Sequence, residues 1–330
     1  MENLITHQSW PTLLFLKNKF LFSSLATNSI NTYRYGVKQY VDFCSSLLIP
    51  PLPLSEPILE NFVTSLCGRV GAKTMRVYLY GVQYWATLQG YATNIAEMTR
   101  LPYVIRGIRR WQGAAHTRAV RHPITLPLLH AILKYIDRNY VLNDRLMYRA
   151  AVLLAFFGML RVSEFTAPSR TTFDPLLHLT NNDISFTDAF HIVCIQIKSS
   201  KTDPFRLGVT VRVGTTQDSL CPVSAMSQYL MQRPAVRGPL FIFRDATYLT
   251  KNNIKNLLKN SLPDVENISS HSFRRGGASY LAQAGLSHDV IQILGRWRSD
   301  AYRLYINLPD SFIRQVSGSA ALQNKPNHFN

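Results

Sequence analysis

ISFTDAFHIVCIQIKSSKTDPFRLGVTVRV, residues 184–213, is where the chain changes its period. β-Branched and apolar side chains alternate with polar ones on both sides of SSKTDP, a run that favours a turn. The segment reads as a small antiparallel sheet with a hairpin. Outward from it the apolar spacing becomes helical. Helices are expected after it over 222–231, 251–262, 272–285 and 287–294, and before it over 126–136 and 145–158. The last of these is apolar through AAVLLAFFGML (150–160), as a helix surrounded by core must be. The expectation is a mainly α fold with one small antiparallel β-sheet.

Nearer the N-terminus, TNSINTYRYGVKQYVDFCSSL (27–47) opens with capping residues and spaces Ile30, Tyr33, Val37, Tyr40, Val41 and Cys44 along a helical face. PPLPLSEP (50–57) stops that helix, and others follow over 57–66, 73–89 and 102–111. In the third helix Met75, Val77, Leu79, Val82 and Trp85 supply the apolar side, leaving Lys73, Arg76 and Tyr80 for another surface. RGIRRW (106–111) adds Arg106, Arg109 and Arg110. QGAAHTRAVRHPITLP (112–127) has no sustained apolar period and reads as an exposed linker. The expected organisation is an all-helical domain (1–111), the linker (112–127), a mixed α/β domain (128–310) and a C-terminal tail (311–330).

Charge narrows the partner. Lys and Arg number 36 against 19 Asp and Glu, a formal +17 over 330 residues. That exceeds the net charge of about 2–8 that keeps a small domain soluble. An excess of this size is self-repelling in a compact fold unless it meets a polyanion, and nucleic acid is the natural one. Cys44, Cys67, Cys194 and Cys221 are scattered, without CxxC or paired histidines, and read as buried thiols in a reducing compartment. A metal-dependent nuclease needs clustered carboxylates, and the sequence has none. With no secretory leader pattern and no run near ~18 apolar residues, a soluble, intracellular protein is expected, nuclear if the source is eukaryotic.

Four segments place a cation, proton donor or nucleophile at the edge of an expected buried element. GMLRVSE (158–164) ends an apolar helix in Arg161, whose planar fork suits a phosphate. Taken alone, it reads as a salt bridge to Glu164. In HSFRRGGASYLAQAG (271–285), His271 and Arg274 lie one helical turn apart, and Gly276 and Gly277 permit close backbone approach. IKSSKTDPFRLG (197–208) puts Lys201 at the hairpin tip, with Lys198 as a second lysine able to reach a cleft. ILGRWRSDAYRLYI (293–306) carries Tyr302 and Tyr305, each of which taken singly reads as a core aromatic.

Together, in the order Arg, Lys, His-x-x-Arg, His or Trp, then Tyr, the four segments resemble the tyrosine recombinase (phage integrase) family. The match covers 158–306 directly, and the preceding helical unit is similar to that family's core-binding, SAM-like domain. The wording KTDPFRLG, CPVSAMSQYL, HSFRRGGAS and GRWRSDAYRLYI looks most like recombinases of eukaryotic mobile elements of the DIRS and Crypton type. The resemblance implies that Arg161 and Arg274 clamp the non-bridging oxygens of the scissile phosphate with His271 beside them. It further implies that Lys201 protonates the leaving 5′ oxygen, Trp297 takes the His or Trp place, and Tyr305 attacks phosphorus to give a 3′-phosphotyrosyl link. Such in-line transfer depends on positioned cations and requires no metal or cofactor. In much of the family nine positions separate the His or Trp from the tyrosine. Here Trp297 precedes Tyr305 by eight, and Arg296 holds the ninth. The expected assembly is a clamp of the two domains around duplex DNA, with Lys73, Arg76, Tyr80, Arg106, Arg109 and Arg110 on the DNA, working as a homo-tetramer. A type IB topoisomerase and a recombinase-derived protein that only binds DNA are the alternatives.

Overall fold

The computed structural model describes residues 9–113, 121–200, 203, 205–299 and 303. The chain divides between Arg118 and Ala119 into two units, each with its own core. The first contains α1 (Trp10–Ser23), α2 (Thr27–Ser46), α3 (Glu56–Ser65), α4 (Ala72–Leu88) and α5 (Leu101–Gln112). Tyr40, Leu59, Phe62, Met75 and Val82 are fully buried at its centre. Helices α2 and α4 lie in close contact, since a Cβ on Gly36 or Gly81 would stand 2.8 Å from the Cα of Tyr78 or Tyr33. The start of α5 is capped from α3: the Glu56 carboxylate accepts the backbone N–H groups of Arg100 (2.6 Å) and Leu101 (2.9 Å). Helix α1 has no counterpart in the sequence reading, because WPTLLFLKNKFLFS carries apolar side chains on every face and therefore no period.

The second unit runs through α6 (Leu126–Asn139), α7 (Leu142–Phe157), the single turn α8 (Val162–Phe165), β1 (Ile184–Thr187), β2 (Ile192–Ile197) and β3 (Val209–Gly214). It continues with α9 (Pro222–Gln232), α10 (Lys251–Ser261), α11 (His271–Gln283) and α12 (His288–Gly295). The strands form one antiparallel sheet in the order β1-β2-β3, with Ile195 opposite both Ile184 and Val211. Val193, Ile195, Ile197, Val211 and Val213 point into the core, and α9 packs on both the sheet and α7. Ala150 to Phe156 on α7 are all buried, which accounts for that helix having no polar face.

Two expectations are corrected. The stretch 112–127 is not an exposed linker along its whole length. Gln112 ends α5, buried, its side-chain amide donating to the Val70 carbonyl (3.1 Å). Pro123 and Ile124 are buried, the Ile124 N–H bonds the Ser272 carbonyl (3.0 Å), and α6 already begins at Leu126. Two apolar residues make no period, yet they suffice to fill a gap against α11. Residues 114–120 lie outside the described ones. Of the cysteines, Cys44 and Cys194 are buried, whereas Cys67 and Cys221 are only partly so. Among the described residues no helix is long and apolar enough to cross a membrane, and no His, Cys, Asp and Glu side chains group as metal ligands would.

Candidate functional site

The site forms where the buried α7 ends and the chain turns back through Gly158 and Met159. Arg161 caps α8. The Glu164 carboxylate accepts both its backbone N–H (2.8 Å) and its Nη1 (2.8 Å), so the expected Arg161–Glu164 bridge is present. That carboxylate is 1% exposed and holds a second guanidinium as well: Arg296 Nη2 donates to its other oxygen at 2.9 Å. Arg296 follows α12 in the left-handed conformation (φ 57°, ψ 42°), which points its side chain back toward the Gly158 and Met159 carbonyls at 3.4 and 3.3 Å. Burial lowers the Arg296 pKa, Glu164 opposes that shift, and the like charge of Arg161 adds to it.

Arg274 comes from the first turn of α11 and is buried. Its Nη1 donates to the Met159 carbonyl (2.6 Å) and its Nη2 to the Gly295 carbonyl. The Trp297 ring lies against it, 4.4 Å from guanidinium carbon to ring centroid, and rests on Gly295, Met159 and Ile291. Helix α11 can approach so closely because its neighbours leave no space for side chains at two positions. A Cβ on Gly276 would overlap the Ile124 carbonyl, and one on Gly277 the Phe156 carbonyl. Arg161, Arg296, Trp297 and Arg298 then line one cleft of about 440 Å³, whose opposite wall is the β2–β3 hairpin at Ser200, Asp203 and Leu207 to Val209. A roomier pocket of about 650 Å³ between Tyr140, Tyr148 and Arg170 contains none of the four motifs.

The expected site residues divide three ways. Arg161 and Trp297 line the cleft, and Arg274, buried, lies against the Trp297 ring without lining it. His271 is the first residue of α11, exposed, one turn before Arg274 and not on the cleft's lining. Lys201, Tyr302, Tyr305 and the tail 311–330 lie outside the described residues. Lys198 does not reach the cleft: it pairs with Asp183 (2.6 Å) and donates to the Pro175 carbonyl (2.8 Å). The sequence reading did not assign Arg296 or Arg298 to the site. The signal for Arg296 was its place nine residues before Tyr305.

On the first unit Lys73, Arg76 and Tyr80 are exposed along one face of α4, and Arg106, Arg109 and Arg110 are exposed on α5. Two aromatics that the sequence reading passed over stand among them, Tyr103 and Trp111, 67% and 78% exposed. Arg106 lies over the Tyr103 ring at 5.2 Å. Neither α4 nor α5 contains a carboxylate, so this surface is cationic with interleaved aromatics, a composition suited to phosphates and bases.

No family model matches the chain. An integrase/recombinase xerD homolog of Selenomonas ruminantium is 24% identical over 283 residues, which are 82% of this chain and 77% of that protein. The crystal structure of XerH site-specific recombinase bound to palindromic difH substrate, a post-cleavage complex, is similar with TM-score 0.61 at 17% identity, covering 89% of this chain and 80% of that one. The Tn1549 transposon integrase in complex with transposon right end DNA has TM-score 0.54 at 13% identity, covering 89% of this chain and 99% of that one. The fold is that of the tyrosine recombinases. A lambda integrase dimer bound to a COC′ core site agrees, with TM-score 0.54 at 15% identity over 92% of this chain and 82% of that one. The xerD homolog's own description, an integrase/recombinase, is in line with that fold.

Proposed function

We propose that this chain is a site-specific recombinase that cuts and rejoins duplex DNA through a 3′-phosphotyrosyl link to Tyr305, in the integration or excision of a mobile element. The observation that carries the reading is a cationic cleft lined by Arg161 and Trp297, with Arg274 buried against the Trp297 ring, the three coming from separated segments. The wording of their motifs supports an element of the DIRS or Crypton type.

In this reading Arg161 and Arg274 hold the non-bridging oxygens, so that charge developing on them meets fixed donors. The Tyr305 hydroxyl, with an ordinary pKa of about 10, loses its proton to His271 as it attacks phosphorus in line. The 5′ oxygen leaves with a proton from Lys201. The phosphodiester's energy stays in the tyrosyl ester, which a second 5′-hydroxyl can attack to rejoin a strand. The basic and aromatic faces of α4 and α5 hold the flanking duplex, and four copies act on two sites.

The test is incubation with nicked suicide duplexes, followed by denaturing electrophoresis and peptide mass mapping. A denaturation-resistant adduct on Tyr305, absent from Tyr305→Phe, is expected. An adduct on Tyr302 would refute the assignment. Tight binding to the cognate site with no adduct would identify a protein that only binds DNA, and relaxation of supercoils without strand exchange would identify a topoisomerase.

A further inference from the structure

We infer that Phe205, on the β2–β3 hairpin, is a wedge that enters DNA between two base steps beside the scissile phosphate. The inference rests on the recombinase reading above and adds to it a residue to which the family resemblance gives no role. Three observations carry it.

The first is an exposure that the loop enforces. Phe205 and Leu207 are each 84% exposed. The Asp203 carboxylate accepts the N–H groups of Leu207 (3.1 Å) and Gly208 (2.8 Å), and the Arg206 N–H bonds the Asp203 carbonyl (3.3 Å). The Asp203 N–H in turn bonds the Ser200 carbonyl (3.0 Å). Arg206, between the two apolar residues, is left-handed (φ 56°). A single exposed apolar side chain is ordinary on a protein surface, but two within three residues of a bonded loop make a projecting apolar edge. The second observation is its place. Leu207 and Val209 line the cleft together with Ile293 of α12, itself 75% exposed. The apolar edge thus borders the space opposite Arg161 and Trp297, and a duplex whose phosphate enters that space brings the adjacent bases to the hairpin.

The third observation is charge. Arg161, Arg296 and Arg298 line the cleft, against Asp203, whose oxygens the hairpin N–H groups already engage, and with Glu164 paired to Arg161 and Arg296. Arg206 adds an exposed cation on the loop itself. An apolar edge set among cations fits a polyanion with apolar faces inside it, which describes stacked base pairs. A second copy of this chain, itself carrying +17, fits it poorly. Phe and Leu are among the side chains that DNA-bending proteins insert between base steps.

Full-length wild type, Phe205→Ala and Phe205→Leu are compared on nicked suicide duplexes carrying 2-aminopurine next to the phosphate at which wild type forms its adduct. The fluorescence of 2-aminopurine rises when its stacking is lost. Because Phe205 supports no core, both variants should keep the wild-type Tm. Wild type should raise the emission on binding. Phe205→Ala should lose most of that rise and form adduct about 10–100-fold more slowly, the loss expected when an aromatic is taken from a base. Phe205→Leu, which keeps an apolar wedge, should retain more of both. On duplexes with an abasic site at the same step, where less stacking has to be opened, the alanine variant should recover most of its deficit. Wild-type emission that does not change on binding, or a deficit equal on stacked and abasic duplexes, overturns the inference. So does a lower Tm of the free alanine variant, which would show the ring covered by its own chain. Loss of the multi-copy assembly with unstacking intact would assign the edge to a second copy and overturn it as well. A wild-type protein that forms no adduct on any duplex would instead overturn the recombinase reading, and this inference with it.

Discussion

Substituting Gly277 by alanine tests whether the closeness of α11 to α7 holds the site together. The added Cβ would overlap the Phe156 carbonyl and stand 2.8 Å from Met159 Cγ. An ordinary carbon contact of about 3.5 Å requires the two segments to separate by roughly 1 Å. Overpacking of that kind costs about 1–3 kcal/mol, and alanine's better helix propensity returns about 0.5–1 kcal/mol. At mid-range values the steric cost prevails by about 1 kcal/mol, within a span of about 0–2.5 kcal/mol. At about 2–4 °C per kcal/mol for a unit of this size, Tm should fall by about 2–5 °C. The larger effect is on chemistry. Arg274 lies one turn before Gly277 and is fixed by its 2.6 Å bond to the Met159 carbonyl, which the same displacement breaks. Misplacing a reacting group by about 1 Å costs about 10² in rate. Thermal melts and single-turnover adduct assays provide both readouts. Gly107→Ala is the control, since nothing lies within 4 Å of its Cβ position on α5 and the substitution should stabilise. A Gly277→Ala protein with unchanged Tm and unchanged adduct rate would refute the reasoning.

Three further perturbations follow from the geometry. Glu164→Ala leaves two guanidiniums, 14% and 13% exposed, without a counter-charge. It should destabilise by about 3 kcal/mol in denaturant titration, with sulfate restoring part of the loss; a change under about 1 kcal/mol would mean that the shared carboxylate is not structural. Arg109→Ala should weaken binding to all duplexes alike and reduce the slope of log affinity against log salt by about one, so a sequence-selective loss in binding assays would contradict a phosphate contact. In Glu56→Gln the effect depends on pH. The Leu101 N–H, above all, holds the Glu56 carboxyl below the usual carboxylate range, with the Arg100 N–H adding and burial opposing. A depressed folded pKa contributes stability above the unfolded pKa, and that contribution is lost as pH falls through the folded value. Wild type should therefore lose stability more steeply than the variant on acidification through the carboxylate range, and parallel denaturation midpoints would exclude the cap.

What the sequence made legible follows from how each feature is encoded. AAVLLAFFGML is local and redundant, since a helix buried on every side needs apolar residues throughout, and α7 is that helix. The sheet is marked by its alternating period, and Arg161 and Arg274 by motifs whose order along the chain survives without any knowledge of geometry. Helix α1 has the opposite property: its apolar residues cover all faces, so periodicity has nothing to detect. Ile124 is buried by tertiary packing against α11 rather than by any local pattern. The place of Arg296 is the most tertiary of all. It depends on a left-handed turn after α12 and on a carboxylate 132 residues earlier, neither of which a linear motif can express. The reading of Tyr305 as nucleophile rests on its motif, since that residue lies outside the described ones.

The stack of Trp297 on Arg274 gives the site an optical readout of its own. The other three tryptophans, Trp10, Trp85 and Trp111, all belong to the first unit, so Trp297 is the only indole between Ala119 and Asn330. Indole emission is sensitive to a cation held against the ring face. In a chain whose other three tryptophans are replaced by phenylalanine, fluorescence would follow what happens at Arg274 as DNA arrives, without a dye and on the timescale of mixing.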